Sequence, residues 1–184
     1  MSAALGEKRL AVLHDLVPRS NVLGLIVNPN NANAQANVKN AREAARALGV
    51  QSVVVNAASE AEYEGAISAL LKHDVQAALV LNDPLFSNKR AGLLNIMARN
   101  KIPAMYPSRE FVDAGGLVSY GANIADAHRQ AGGYAGRILK GEKPAELPVM
   151  QASKFELVIN ANTAKILGFT VPDRVIALAD EVIE

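Results

Sequence analysis

The sequence predicts an α/β domain: a doubly wound parallel sheet with helices on both faces. Three observations point there. Short apolar runs recur at residues 22–27, 52–55, 77–81, 102–105 and 117–120, and segments with apolar residues at helical spacing separate them. Each run also breaks off into turn or polar residues, as in Leu81-Asn82-Asp83-Pro84. An apolar run too short for a helix and bounded by turn chemistry reads as a strand buried on both faces, the habit of parallel sheets. Strands that alternate with helices then imply right-handed crossovers and helices on both sides.

In chain order, a helix is expected over 5–16, with Leu5, Leu10, Leu13 and Leu16 near helical spacing and Pro18 as its stop. The first strand ends in Asn28-Pro29-Asn30-Asn31. Next comes a helix with Ala34, Val38, Ala41, Ala45 and Leu48 on one face, closed by Gly49 in the left-handed conformation. The second strand ends at Asn56. Ser59 with Glu62 reads as a capping box for a helix whose inner face is Tyr63, Ala66, Ile67 and Leu70. After the third strand, a helix starting at Ser87 or Asn88 carries Leu93, Leu94 and Met97 toward the sheet. The fourth strand runs into Tyr106-Pro107-Ser108-Arg109-Glu110, and a helical turn reaches Gly115-Gly116. The fifth leads through Gly121-Ala122-Asn123 into a long helix with Ile124, Ala127, Ala131, Tyr134 and Ile138 in register, ended by Gly141. Residues 143–148 are linker-like, and 155–159 resemble a further strand. Asn160 then caps a short helix closed by Gly168, and Pro172 fits the first turn of a last helical stretch. The expected division is an α/β lobe over 1–121. Residues 122–184 form a crossing helix, a linker and a tail that either returns to the lobe or packs in another.

Composition removes several classes of function. Half of the 184 residues are hydrophobic, enough for one full domain with at most a small appendage. Nineteen basic against 18 acidic residues leave a charge of +1 and no basic stripe for nucleic acid, and four Tyr, four Phe and no Trp offer few stacking platforms. The lack of cysteine removes disulfides, thiolate nucleophiles, Cys-based metal sites and a racemase built on paired cysteines. No run approaches about eighteen apolar residues, so no membrane span is expected. The opening residues show no basic segment followed by an apolar one, and no export signal is read there.

In open parallel sheets, ligands bind outside the carboxyl ends of the strands. The residues that fall there are Asn28, Asn30, Asn56, Asn82, Asp83, Tyr106, Ser108, Arg109, Tyr120 and Asn123. Only Asp83 and Arg109 among them are ionised. Such a set orients a small polar molecule or zwitterion, the carboxylate facing an amine and the guanidinium a carboxylate. Each residue also has a plainer use. Asn and Asp before Pro are turn residues, Ser before a helix is a cap, and Arg109 has Glu110 and Asp113 in reach for an exposed salt bridge.

Catalytic and cofactor patterns fail in turn. Residues 132–136 are glycine-rich but lie inside a helical pattern, where close packing against a helix or the sheet is the expected role. No P-loop, His-Glu-x-x-His or Gly-x-Ser-x-Gly is present. His14, His73 and His128 are too scattered for a shared metal and read as surface residues. A phosphorylatable receiver domain also places an Asp after its third strand, but it needs carboxylates beside the first strand and a Lys after the fifth. This chain has Asn28-Pro29-Asn30 and Tyr120-Gly121 there. No catalytic residue, metal or cofactor is expected.

Asn82-Asp83-Pro84, the stretch 106–111 (Tyr-Pro-Ser-Arg-Glu-Phe) and the stretch 115–121 (Gly-Gly-Leu-Val-Ser-Tyr-Gly) resemble the substrate-binding proteins of bacterial ABC importers, in the branch grouped with tryptophan/tyrosine-type importers. Residues 10–31, 137–141 and 155–160 and the ending 180–184 are similar too, so the likeness covers nearly the whole chain. The resemblance implies a type I periplasmic-binding-protein fold, in which two lobes close on a solute. By that likeness the chain is a truncated form, the second lobe with its closing segments. Its parent is then a periplasmic or extracytoplasmic lipoprotein that delivers a polar, amino-acid-like or organic-acid solute to a membrane permease. Asp83 meets the ligand's polar end, and Tyr120, Gly121 and Asn123 lie at the crossing between lobes. Related amino-acid binders often carry an acid where Asn123 stands, which weakens the case for an α-amino acid. Replacing Asp83 or Tyr120 in the two-lobed parent is expected to cost about 1.5–3 kcal/mol of affinity. The crossing helix and tail expose apolar faces on this reading, so the fragment is expected to self-associate, with exchange of the tail as one route. The alternatives are the effector-binding core of a transcription regulator or sensor, and a small α/β enzyme.

Overall fold

Strand β1 (Val22–Val27) pairs in parallel on both edges, with β2 (Gln51–Asn56) and β3 (Ala77–Val80). With strands on either side and helices on both faces it has no polar side, and Leu23, Leu25 and Ile26 are fully buried. The parallel run continues through β4 (Ala104–Tyr106) to β5 (Val118–Ala122). Beyond β5 the sheet departs from a purely parallel one. β6 (Phe155–Asn160) returns antiparallel to β5, and β7 (Glu181–Ile183) lies parallel to β6 at the edge. The order across the seven strands is β2-β1-β3-β4-β5-β6-β7. The computed structural model describes residues 2–150 and 154–184, with side chains from residue 5 onward.

Alternating side chains feed two cores. On one face Leu23 and Leu25 meet Leu10 and Leu13 of α1 (Ser2–Leu16) and Ala41 and Ala45 of α2 (Ala34–Ala47). On the other, Ile26 and Val80 meet Ile67 and Leu70 of α3 (Tyr63–Lys72), Phe86 of α4 (Pro84–Asn88), and Leu93 and Met97 of α5 (Arg90–Arg99). Each fully buried side chain of this size stabilises by about 1.5–3 kcal/mol.

Several local expectations hold, and others change for identifiable reasons. Gly49 and Gly168 take positive φ at the ends of α2 and of α8 (Ala161–Leu167), and Asn160 caps α8 by accepting from the Thr163 N–H at 2.9 Å. The capping box at Ser59 is incomplete. Its hydroxyl donates to Glu62 Oε1 at 3.0 Å instead of accepting from the helix, while Glu62 Oε2 takes the Ala58 N–H at 3.0 Å. The helix expected from Ser87 or Asn88 begins earlier, at Pro84, because Asp83 supplies the cap, and a break at Lys89 separates it from α5. Residues 181–183 form a strand that sequence reading passes over, since three residues show no period.

The tail from 155 onward therefore extends the same sheet. It includes α8 and α9 (Asp173–Ile176), which bury Ala164 and Val175. The crossing helix α7 (Ile124–Leu139) behaves differently and buries no residue. The glycines at 132, 133 and 136 are not packing contacts as expected, because a Cβ built on each meets nothing within 4 Å. His14 is also not a plain surface residue: it is half-buried, and its Nδ1 lies buried with no partner among the described residues. No helix of the described residues is long and apolar enough to cross a membrane.

Candidate functional site

The strands β1 to β5 are parallel, so their carboxyl ends share one edge, neighbouring ends lying about 4.8 Å apart. The winding of the sheet reverses between β1 and β3, and that switch point is where open α/β sheets take ligands. Asp83 stands there, 5% exposed. Its backbone is extended, and its side chain caps α4: Oδ1 accepts from the Leu85 N–H at 2.8 Å and from Asn28 Nδ2 at 3.0 Å. Oδ2 accepts from Asn31 Nδ2 at 2.6 Å. Asn28 and Asn31 in turn accept from the N–H groups of Asn30 at 3.0 Å and Asn33 at 2.8 Å. Both carboxylate oxygens are thus occupied by the protein. Asp83 buckles the loop after β1 to the loop after β3, which closes the switch point with internal hydrogen bonds.

A second network lies where β5 hands over to α7. Arg9 of α1, 9% exposed, donates Nε to the Tyr120 carbonyl at 2.7 Å and Nη2 to the Pro107 carbonyl at 3.1 Å. Among the described residues it has no ion pair, and burial pulls its guanidinium pKa down to about 10, against the pull of Tyr120. Gly121 passes so close to Pro107 that a Cβ would overlap the carbonyl oxygen, so only glycine fits. Asn123 caps α7 by accepting from the Asp126 N–H at 2.8 Å, and donates Nδ2 to Glu156 Oε2 at 2.7 Å. Arg109 sits amid carboxylates, 3.3 Å from Asp113, 3.1 Å from Glu181 and 3.5 Å from Glu156, and the hydrogen bond to Asp113 leads in raising its pKa. The salt bridge available to Arg109 in Asp113 is made, and the one in Glu110 is not. The Tyr120 ring lies against Phe155, with centroids 6.2 Å apart.

At the same edge a cleft collects several polar side chains that lack an internal partner among the described residues. Asn82, Asn88 and Arg90 on one side, Ser108 and Glu110 on the other, and Ile124 at the start of α7 line an open cleft of about 330 Å³. Among the described residues, the side chains of Asn82, Asn88, Ser108 and Glu110 make no hydrogen bond or ion pair with the protein. Ser108, at the start of α6 (Arg109–Asp113), makes no side-chain cap.

The structure therefore sorts the candidates. Asn82 and Ser108 share the cleft, whereas Asn28, Asp83, Arg109, Gly121 and Asn123 build the frame around it. Tyr120 joins that frame through its carbonyl. Asn30 and Asn56 are exposed at the β1 and β2 ends. Tyr106 is turned inward, 2% exposed, with its ring stacked on Phe111 at 4.9 Å and under Gly116, and burial raises its pKa well above the ordinary phenol value. It is a core residue, away from the rim.

Arg9, Asn31, Arg90, Glu110 and Glu156 escape the sequence reading. Arg90 carried the one usable signal, a cation in the first turn of a helix, where the dipole disfavours it. Chemically the cleft offers amide, hydroxyl, carboxylate and guanidinium groups that can hold a small polar molecule. Among the described residues no group of three or more His, Cys, Asp or Glu is placed to hold a metal ion.

Comparison with known proteins agrees with this architecture. The tyrosine-binding protein of Clostridioides difficile (strain R20291) is 25% identical over 161 residues, 88% of this chain and 46% of that protein. A conserved domain protein from Vibrio cholerae superposes with a TM-score of 0.84 at 25% identity, covering 96% of this chain and 60% of the other. An ABC domain from Streptococcus pneumoniae in complex with L-Trp shares the fold, with a TM-score of 0.83 at 24% identity over 97% of this chain and 62% of its own. The chain thus spans about half the length of the curated relative it matches. The model of the family described as ABC transporter substrate binding protein matches residues 2–183, and the chain belongs to that family.

Proposed function

We propose that this chain is one ligand-binding lobe of the solute-binding component of an ABC importer. It holds a small polar, amino-acid-like solute at the carboxyl ends of β3 to β5 and passes it unchanged to a membrane permease. The observation that carries this reading is the cleft. Polar groups with no internal partner converge at one edge of the sheet, beside the point where the chain leaves β5 and later returns as β6. Membership of a substrate-binding rather than an enzyme family supports binding without turnover. The tyrosine and tryptophan named for the relatives make aromatic amino acids the first solutes to try. An importer component of this kind works outside the cytoplasm, which is the localisation we assign.

The test is titration calorimetry of the full-length gene product against L-tyrosine, L-tryptophan and short organic acids. Saturable binding of one solute, recovered unchanged afterwards, is the expected result. Absence of binding across the panel, or conversion of a bound solute, rejects the reading.

A further inference from the structure

Resting on that reading, we infer that Arg90 and Glu110 are the charge-reading pair of the cleft, Arg90 for the carboxylate and Glu110 for the ammonium of a zwitterionic amino acid. Most charges at the carboxyl edge are already engaged by the protein itself. Asp83 is taken up by Asn28, Asn31 and Leu85. Arg9 is bound to two carbonyls, and Arg109 to carboxylates of its own protein. Asn123 is neutral, and Glu156 receives its amide. What is left in the cleft is one cation and one anion of the right kind.

Arg90 is held ready rather than satisfied. Its Nη1 donates to the Ser87 carbonyl at 2.8 Å, which fixes the guanidinium plane while other N–H donors stay unused. It stands in the first turn of α5, a placement that helix's dipole disfavours, and its one protein bond goes to a carbonyl in the last turn of α4. Its neighbour Lys89, by contrast, pairs with Glu60 at 3.3 Å. Among the described residues Glu110 makes no ion pair although Arg109 is adjacent in sequence, and it lines the same cleft. A planar guanidinium suits a carboxylate, and a carboxylate suits a compact ammonium. Ser108 and Asn82 add neutral donors and acceptors, and Ile124, 39% exposed, gives an apolar wall for the ligand's side chain.

The experiment uses the full-length gene product and three probes: L-tyrosine, L-tyrosinamide (no carboxylate charge) and N-acetyl-L-tyrosine (no ammonium), with the same three built on L-tryptophan in parallel. The unsubstituted protein is expected to prefer the free amino acid over either derivative by about ten- to a hundred-fold. Arg90→Gln should weaken the free amino acid by about that factor and leave the amide unchanged, and Glu110→Gln should do the same with respect to the N-acetyl derivative. Urea midpoints of both variants are expected to lie near the parent's, as Glu110 is exposed and Arg90 gives up a single hydrogen bond. Variants that bind the free amino acid like the parent, or that lose a probe and its derivative equally, overturn the assignment and leave the solute-binding reading intact. So does a parent protein that binds an organic acid but no amino acid. A parent that binds nothing in the panel overturns both.

Discussion

Replacing Asp83 with alanine removes three hydrogen bonds at once, and their sum can be worked from the structure. Loss of the α4 cap, where Oδ1 accepts from the Leu85 N–H at 2.8 Å, costs about 1 kcal/mol. The amides of Asn28 and Asn31 lose a carboxylate acceptor at 3.0 and 2.6 Å. A charge-assisted bond is worth about 1.5–3 kcal/mol when the abandoned donor stays buried. Both asparagines are only half-buried and can recruit water, so about 1 kcal/mol each is the better figure. The total is about 3 kcal/mol, read as a shift in the urea midpoint of the 184-residue chain at constant slope. Asp83→Asn keeps one acceptor oxygen and should lose about half as much. Hydrogen exchange at Leu85, Asn30 and Asn33 should quicken in both variants. A loss under about 1 kcal/mol for Asp83→Ala, with those amides still protected, would refute the view that this carboxylate is the buckle of the switch point.

Three further outcomes are expected. Gly121→Ala drives a methyl group into the Pro107 carbonyl and should cost at least about 2 kcal/mol, whereas Gly132→Ala in the open middle of α7 should raise helicity and stabilise it by about 0.5–1 kcal/mol; thermal melts followed by circular dichroism read both. The Tyr63 hydroxyl is buried with no partner among the described residues, and burial, then the charges of Glu60 and Asp83, push its pKa up to about 12 from 10. An unfolded tyrosine ionises first, so this contribution is complete below pH 10 and is lost as pH climbs through the folded value near 12. Tyr63→Phe should change stability by less than about 1 kcal/mol at neutral pH and lessen the alkaline loss, checked by urea midpoints at about pH 8 and about pH 11. Finally, Ile138 and Leu139 are exposed on α7 at 41% and 88%, so the 184-residue chain is expected to self-associate at high concentration. Ile138→Lys with Leu139→Lys should reduce the weight-average mass in light scattering.

The fold was legible where a period or a punctuation mark carried it. The run 22–27 is apolar throughout and bounded by turn residues, as suits a strand covered on both faces, and Gly49 and Gly168 mark helix ends by the positive φ they adopt. The direction of β6 was not legible: its apolar run looks the same parallel or antiparallel, and the choice is made by where the chain re-enters after α7. At the site, the strand-end positions were readable, because Asn82, Asp83 and Ser108 all follow apolar runs. Which of them faces outward was not. Asp83 and Asn82 are adjacent, yet one has both oxygens occupied and the other none, a difference set by Asn28 and Asn31 more than fifty positions earlier. Tyr106 shows the same limit. It ends a strand, but the alternation that aims its ring depends on register, and the register turns it under Gly116.

The two kinds of polar residue at this edge answer to different measurements. Asp83 joins the loops after β1 and β3, Arg9 ties α1 to the ends of β4 and β5, and Arg109, Asn123 and Glu156 fasten α6 and α7 to β6. Each of these bonds is internal, so its removal lowers folding stability whether or not solute is present, and lowers affinity only by letting the rim move. Arg90, Glu110, Asn82 and Ser108 contribute little to folding, because they have little or nothing to lose in the unliganded chain. A frame that holds its own shape also spares the solute the cost of ordering it, since rotamers already fixed are not frozen again on binding. Substitutions in the frame should therefore move the denaturation midpoint first and affinity second, while those in the cleft should move affinity at a constant midpoint. A plot of one against the other over both sets should fall on two separate lines. Points scattered on a single line would mean that frame and cleft are one structure, and that the internal hydrogen bonds themselves carry the recognition.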